Sequence, residues 1–108
     1  MATLASARRM ALHLPHTSEQ DHHGRPSFRV AGKIFATVPD DAHVNVFIDV
    51  DEVAGLVAEY PACTALYWGK RLRGVRVELA SIEASLLREI LTDAWRLRAP
   101  MHGERRPS

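Results

Sequence analysis

The stretch that most limits what this chain can fold into is Arg25-Pro26-Ser27-Phe28-Arg29-Val30-Ala31-Gly32-Lys33-Ile34-Phe35-Ala36-Thr37-Val38. Two alternating apolar runs, Phe28/Val30 and Ile34/Ala36/Val38, flank Ala31-Gly32. Period-two alternation on both sides of a glycine-containing pair predicts a β-hairpin with one buried face. The opposite face then holds Arg29, Lys33, Phe35 and Thr37. A face that is merely solvated rarely carries a Phe. Basic, aromatic and hydroxyl side chains together can neutralise phosphate and stack on bases.

The remaining elements assemble around that hairpin. Leu4, Ala7, Ala11 and Leu14 recur at helical spacing and Pro15 stops the run, predicting a helix over 2–14. His16 to Gly24 reads as a polar loop. After a turn at Pro39-Asp40-Asp41-Ala42, residues 43–49 alternate, with Val44, Val46 and Ile48 inward and His43, Asn45, Phe47 and Asp49 outward. Asp49 or Asp51 can cap a short helix to about Tyr60, with Val53, Leu56 and Val57 on its buried side. Thr64 to Trp68 reads as a strand, Gly69 to Gly74 as a basic loop, and Val75, Val77 and Leu79 as the inward face of a last strand. Ser81 is the expected N-cap of a long helix to about Arg98, striped by Leu86, Leu87, Ile90, Leu91, Ala94 and Trp95, with Glu83 near its positive end. Strands and helices that each have a single apolar face make a two-layer α+β sandwich: an antiparallel sheet with helices on one side and the other side open. The reading is one domain over 1–99 and a flexible tail over 100–108.

With 108 residues, 46% of them apolar, the chain can bury one core without staples. The lone cysteine, Cys63, excludes an internal disulfide and fits a reducing, cytoplasmic setting. The apolar stretch after Arg8-Arg9 is interrupted by His13 and Pro15, too soon for a signal-peptide core, and no segment is apolar enough to span a membrane. Net charge is only +1, which counts against a strongly basic nucleic-acid binder. Its distribution says more. Arg25 to Lys33 holds three basic residues and no acid, and Lys70 to Arg76 holds four more and no acid, whereas Pro39 to Tyr60 is acidic throughout.

The segment Gly24 to Ala36 written out above, with Trp68-Gly69-Lys70 and Gly74-Val75-Arg76-Val77, resembles the MmcQ/YjbR-like family over nearly the whole chain. The resemblance implies a frataxin-like (CyaY-like) α+β sandwich and DNA binding by a double-wing arrangement, in which loops of the sheet approach the duplex. Carried over by position, the DNA-facing residues are Arg25, Lys33 and Lys70, with Arg71, Arg73 and Arg76 less directly. Gly24, Pro26, Gly32 and Gly69 match as shapers of the backbone.

Each candidate also has a plainer reading. Lys33 is either a phosphate contact or an exposed turn lysine. Residues 69–74 form either a wing whose basic side chains converge or an ordinary basic turn. Phe35, Phe47 and Trp68 either stack on bases or pack among themselves across the sheet. His13, His16, His22 and His23 do not converge as metal ligands must, so no metal or other cofactor is expected. The first helix lacks the acidic ridge that iron handling by frataxins relies on. No nucleophile with a paired base appears, and Gly69-x-x-x-x-Gly74 lacks the Lys-Ser/Thr of a phosphate loop, so an enzyme is not expected. The expected function is a DNA-binding module. The alternative is a non-enzymatic protein- or small-ligand-interaction module on the same open face.

Overall fold

The computed structural model describes residues 1–100. The tail expected over 100–108 lies outside the described residues, apart from Pro100. The elements in chain order are α1 (Leu4–His13), β1 (Thr17–His22), β2 (Arg25–Val30), β3 (Lys33–Asp40), β4 (His43–Val46), α2 (Val50–Glu59), β5 (Cys63–Trp68), β6 (Arg71–Glu78), a short 3-10 turn at Leu79–Ser81, and α3 (Ala84–Arg98). The six strands form one antiparallel sheet in the order β1-β2-β3-β4-β6-β5. One core joins Ala7 and Ala11 of α1, Val53 of α2 and Leu87, Ile90, Leu91 and Ala94 of α3 to Phe28, Val38, Val44, Val46, Val75 and Val77 of the sheet. All three helices therefore cover one face, and the expected α+β sandwich is the fold. Among the described residues, no helix is long and apolar enough to cross a membrane.

Local chemistry sets the element ends. Thr3 caps α1 in a capping box with Ser6, each side chain taking the other's backbone N–H. Asp49 caps α2, accepting from Asp51 N–H at 2.9 Å. Glu83, rather than Ser81, stands at the N-cap of α3, because Leu79–Ser81 turn as a 3-10 segment first and the Ser81 hydroxyl donates to Glu78.

Three sequence expectations give way to specific causes. The polar segment after α1 is a strand, β1. It has no apolar run to announce it, but as an edge strand it needs only backbone pairing, and His23 (φ 55°) and Gly24 (φ 84°) make the mirror-image two-residue turn that hairpins favour. Residues 71–74 are strand, not loop, so that only Gly69-Lys70 turn between β5 and β6. Phe35 is fully buried, while Ile34 is partly exposed. The pairs Arg29↔Ile34 and Phe28↔Ala36 leave Phe35 as the unpaired residue of a β-bulge, which turns it into the core out of alternation.

Of the described glycines, Gly74 is the one with no room for a side chain. A Cβ placed there would lie 2.0 Å from the Val46 carbonyl oxygen and 3.0 Å from the Phe47 Cα. Both are backbone and cannot swing aside. Gly74→Ala is expected to cost about 1–3 kcal/mol or more, a fall in melting temperature of roughly 4–8 °C per kcal/mol. Gly55→Ala, on α2 with open space around it, is expected to stabilise by up to about 1 kcal/mol through helix propensity. Thermal denaturation by circular dichroism reads both signs.

Candidate nucleic-acid interface

Strand register decides which basic residues meet. β4 stops at Val46, which pairs with Ala36 of β3 and Val75 of β6. Lys33 to Phe35 of β3 and Arg71 to Gly74 of β6 lie beyond those partners on the same side, so the β2–β3 and β5–β6 hairpins both project past the end of β4. Their tips, Ala31-Gly32 and Gly69-Lys70, stand at one end of the sheet. Three inter-strand spacings separate them, roughly 14 Å.

The face opposite the helices follows from the same parity. Val44, Val46, Val75 and Val77 point into the core, so Asn45 and Arg76 point the other way, and Arg76 Nε donates to Asn45 Oδ1 at 3.0 Å. Phe47 lies on this open face yet is only 2% exposed. It is covered by Trp68, edge-on with ring centroids 5.3 Å apart, and by Arg73. The Arg73 guanidinium stands 4.7 Å from the centre of the Trp68 ring, and Trp68 itself remains half-exposed. Arg73 is the residue skipped between the pairs Leu66↔Gly74 and Tyr67↔Leu72. This second bulge aims it over the aromatic pair, a cation–π arrangement.

Lys33, Lys70, Arg71, Arg73 and Trp68 thus gather at the two-hairpin end, and Arg76 sits on the open face below β6's bulge. Arg25 does not join them. It begins β2 at the far end of the sheet, donating to the Val38 carbonyl and pairing with Asp41 at 3.1 Å. Phe35 is removed from contact with any ligand by its burial. Arg98 is the residue that local pattern could not supply. Its Nε donates to the Ile34 carbonyl at 3.3 Å, across 64 positions of sequence, and with Arg71, Arg73 and the helix-capping Asp49 it lines a shallow cleft of about 550 Å³ beyond the end of β4. A lysine or arginine in the last turn of a helix is common for dipole reasons, so nothing in the local sequence singles Arg98 out.

Charge pairing is sparse along the molecule. Among the described residues, ion pairs join Arg8 to Glu19, Arg25 to Asp41, His43 to Asp40 and Arg96 to Asp93. Lys33, Lys70, Arg71, Arg73 and Arg98 enter none of them, and Arg9, Arg29, Arg76 and Arg88 also stand outside them. The hydrogen bond from His43 holds the Asp40 carboxyl below its ordinary value of 3.8, with the Ala42 N–H acting the same way. Its contribution to stability is present above the ordinary carboxylate range and is lost as pH falls through the lowered value. Glu59 raises the Tyr60 hydroxyl, and burial raises the Cys63 thiol, which keeps it protonated. No group of three or more His, Cys, Asp or Glu placed to hold a metal occurs among the described residues.

The stack predicts that Arg73→Ala uncovers Trp68 and Phe47. Acrylamide quenching of tryptophan fluorescence is expected to rise, and stability to fall by about 0.5–2 kcal/mol. Unchanged quenching would show that the stack does not persist in solution.

The family model described as YjbR matches residues 12–97 of this chain. No curated protein matches it at a significant level. Among solved structures, it is similar to the crystal structure of Deinococcus radiodurans protein DR2400, assigned to the family-model domain DUF419. The TM-score is 0.76 at 23% identity, covering 90% of this chain and 78% of that one. That likeness concerns the fold.

Proposed function

The chain belongs to the YjbR family, and on that premise we propose that it is a DNA-binding module that docks on duplex through its two projecting hairpins. The observation that carries the reading is the placement of Lys33 at one hairpin and Lys70, Arg71 and Arg73 at the other, all at one end of one sheet and outside the ion pairs among the described residues. Their separation of roughly 14 Å is close to the ~12 Å width of the B-DNA major groove. Each hairpin therefore reaches the phosphate row on its own side of one groove. Arg98, in the cleft beside the second hairpin, faces the space left by the end of β4.

The chemistry on offer is phosphate neutralisation rather than base reading. Lysines and arginines on hairpin tips position a protein on the backbone, and the amide side chains that read adenine, Asn and Gln, are absent from both tips. Any base contact there is limited to Lys or Arg on guanine. Arg76 is tied to Asn45 and Phe47 is covered, which leaves Trp68 as the open-face aromatic available to a sugar or an unstacked base. The reading is of binding without catalysis, in a frataxin-like sandwich, in the cytoplasm where a single buried thiol stays reduced.

Fluorescence anisotropy of a labelled duplex across a salt series tests this. Neutralising a few phosphates gives a log–log slope of about −3 to −5. Replacing Lys33, Lys70 and Arg71 together by Ala is expected to flatten it by about 0.9 for each phosphate that is no longer neutralised. Arg88→Ala, which removes one positive charge from the helix layer, is expected to leave the slope unchanged. Absence of binding by the folded protein at low salt would overturn the reading in favour of the interaction module. So would equal weakening in the hairpin and helix-layer variants.

A further inference from the structure

Among the described residues the sheet has two unpaired edges, and they are built differently. β1 presents Ser18, Glu19, Gln20 and Asp21, the polar and charged side chains with which an edge strand resists pairing. β5 reads Cys-Thr-Ala-Leu-Tyr-Trp, with neither charge nor proline, and Tyr67 and Trp68 are 56% and 49% exposed on it. The Glu78 N–H bonds the Ala62 carbonyl, so alternation turns the backbone groups of Ala65 and Tyr67 away from β6, out of the sheet. Beside this edge, α2 carries a second apolar stripe. Val53, Leu56 and Tyr60 face the core, while Val50, Ala54, Ala58 and Val57, which its spacing predicts on the buried side, recur at helical spacing on the exposed side. An uncharged strand edge flanked by exposed apolar helix is the pattern of an interface.

We infer that this edge pairs with a second copy of the chain, β5 against β5, about a two-fold axis normal to the sheet. Such an axis keeps both helix layers on one side, so only residues that point to the same face can oppose each other. Centred on Leu66, the pairing sets Ala65 against the partner's Tyr67 and Thr64 against the partner's Trp68. Each exposed aromatic then meets a small residue, and does so twice. The same operation lays the two α2 helices side by side, where Ala54 and Ala58 allow close approach. It also carries Lys70 past the partner's Ala62, towards the end of α2 that bears Glu59. Opposite charges meet at both rims. Self-pairing is favoured over a foreign strand because this edge itself supplies the complementary size and charge.

A patch one strand and one helix deep, about 20 Å long, buries on the order of 400 Å² per copy, at the weak end of specific interfaces. Association is therefore concentration-dependent, and sedimentation equilibrium from micromolar to millimolar protein, without nucleic acid, reads it. The wild type is expected to shift from monomer to dimer over that range. Ala65→Lys, which puts a charge at the centre of the pairing, is expected to weaken association about tenfold or more with an unchanged circular dichroism spectrum. Glu59→Lys is expected to weaken it too, and Glu59→Lys combined with Lys70→Glu to restore it. A monomer at every concentration, or a dimer indifferent to a folded Ala65→Lys, would overturn the inference. Glu59→Lys should not reduce the DNA salt slope of the monomer, so the two proposals fail separately.

Discussion

The close approach of Gly74 to the Val46 carbonyl is the contact on which the working end of this molecule depends. β4 stops at Val46, and the chain must leave the sheet there to begin α2. β6 runs on beside it, with its backbone tight against Val46 and Phe47, because residue 74 has no side chain. On the other flank the Phe47 N–H bonds the Phe35 carbonyl, holding β3 against the same exit. The short central strand is thus clamped between two longer hairpins. Each hairpin is bulged just beyond the clamp, at Phe35 in β3 and at Arg73 in β6. The first bulge puts an aromatic ring into the core. The second puts a guanidinium over Trp68.

That arrangement explains why a nearly neutral protein can present a basic end. Arg25 pairs with Asp41, and Asp40 is hydrogen-bonded to His43, all at the opposite end of the sheet. At the hairpin end, Lys33, Lys70, Arg71, Arg73 and Arg98 enter no ion pair among the described residues and outnumber Asp49, the carboxylate that lines the cleft there. A net charge of +1 averages over this separation and conceals it. Local potential, not total charge, governs how a phosphate backbone meets a small domain.

Alternation makes most of the sheet legible: Phe28, Val30, Val38, Val44, Val46, Val75 and Val77 all point inward as their spacing demands. The α3 stripe and the Asp49 cap are equally readable. The features that escape are those that spacing does not encode. β1 has no apolar face, since an edge strand can be held by its backbone alone. A bulge breaks the period by one residue, so strict alternation places Phe35 on the wrong face and cuts β6 short by treating 71–74 as loop. The basic end is legible as two charged segments, yet their meeting depends on strand order. For that reason the sequence groups Arg25 with residues a sheet-length away, and leaves Arg98, brought in by α3, out of the group.

The central claim is that the two hairpins act as one surface, and a backbone-amide NMR titration with duplex DNA addresses it most directly. The account predicts that the largest shift changes fall together on Gly32, Lys33 and residues 69–73, with the Trp68 indole N–H among them, while β1 and the Arg25–Asp41 end stay still. Perturbation of one hairpin alone, or of the helix layer instead, would contradict it.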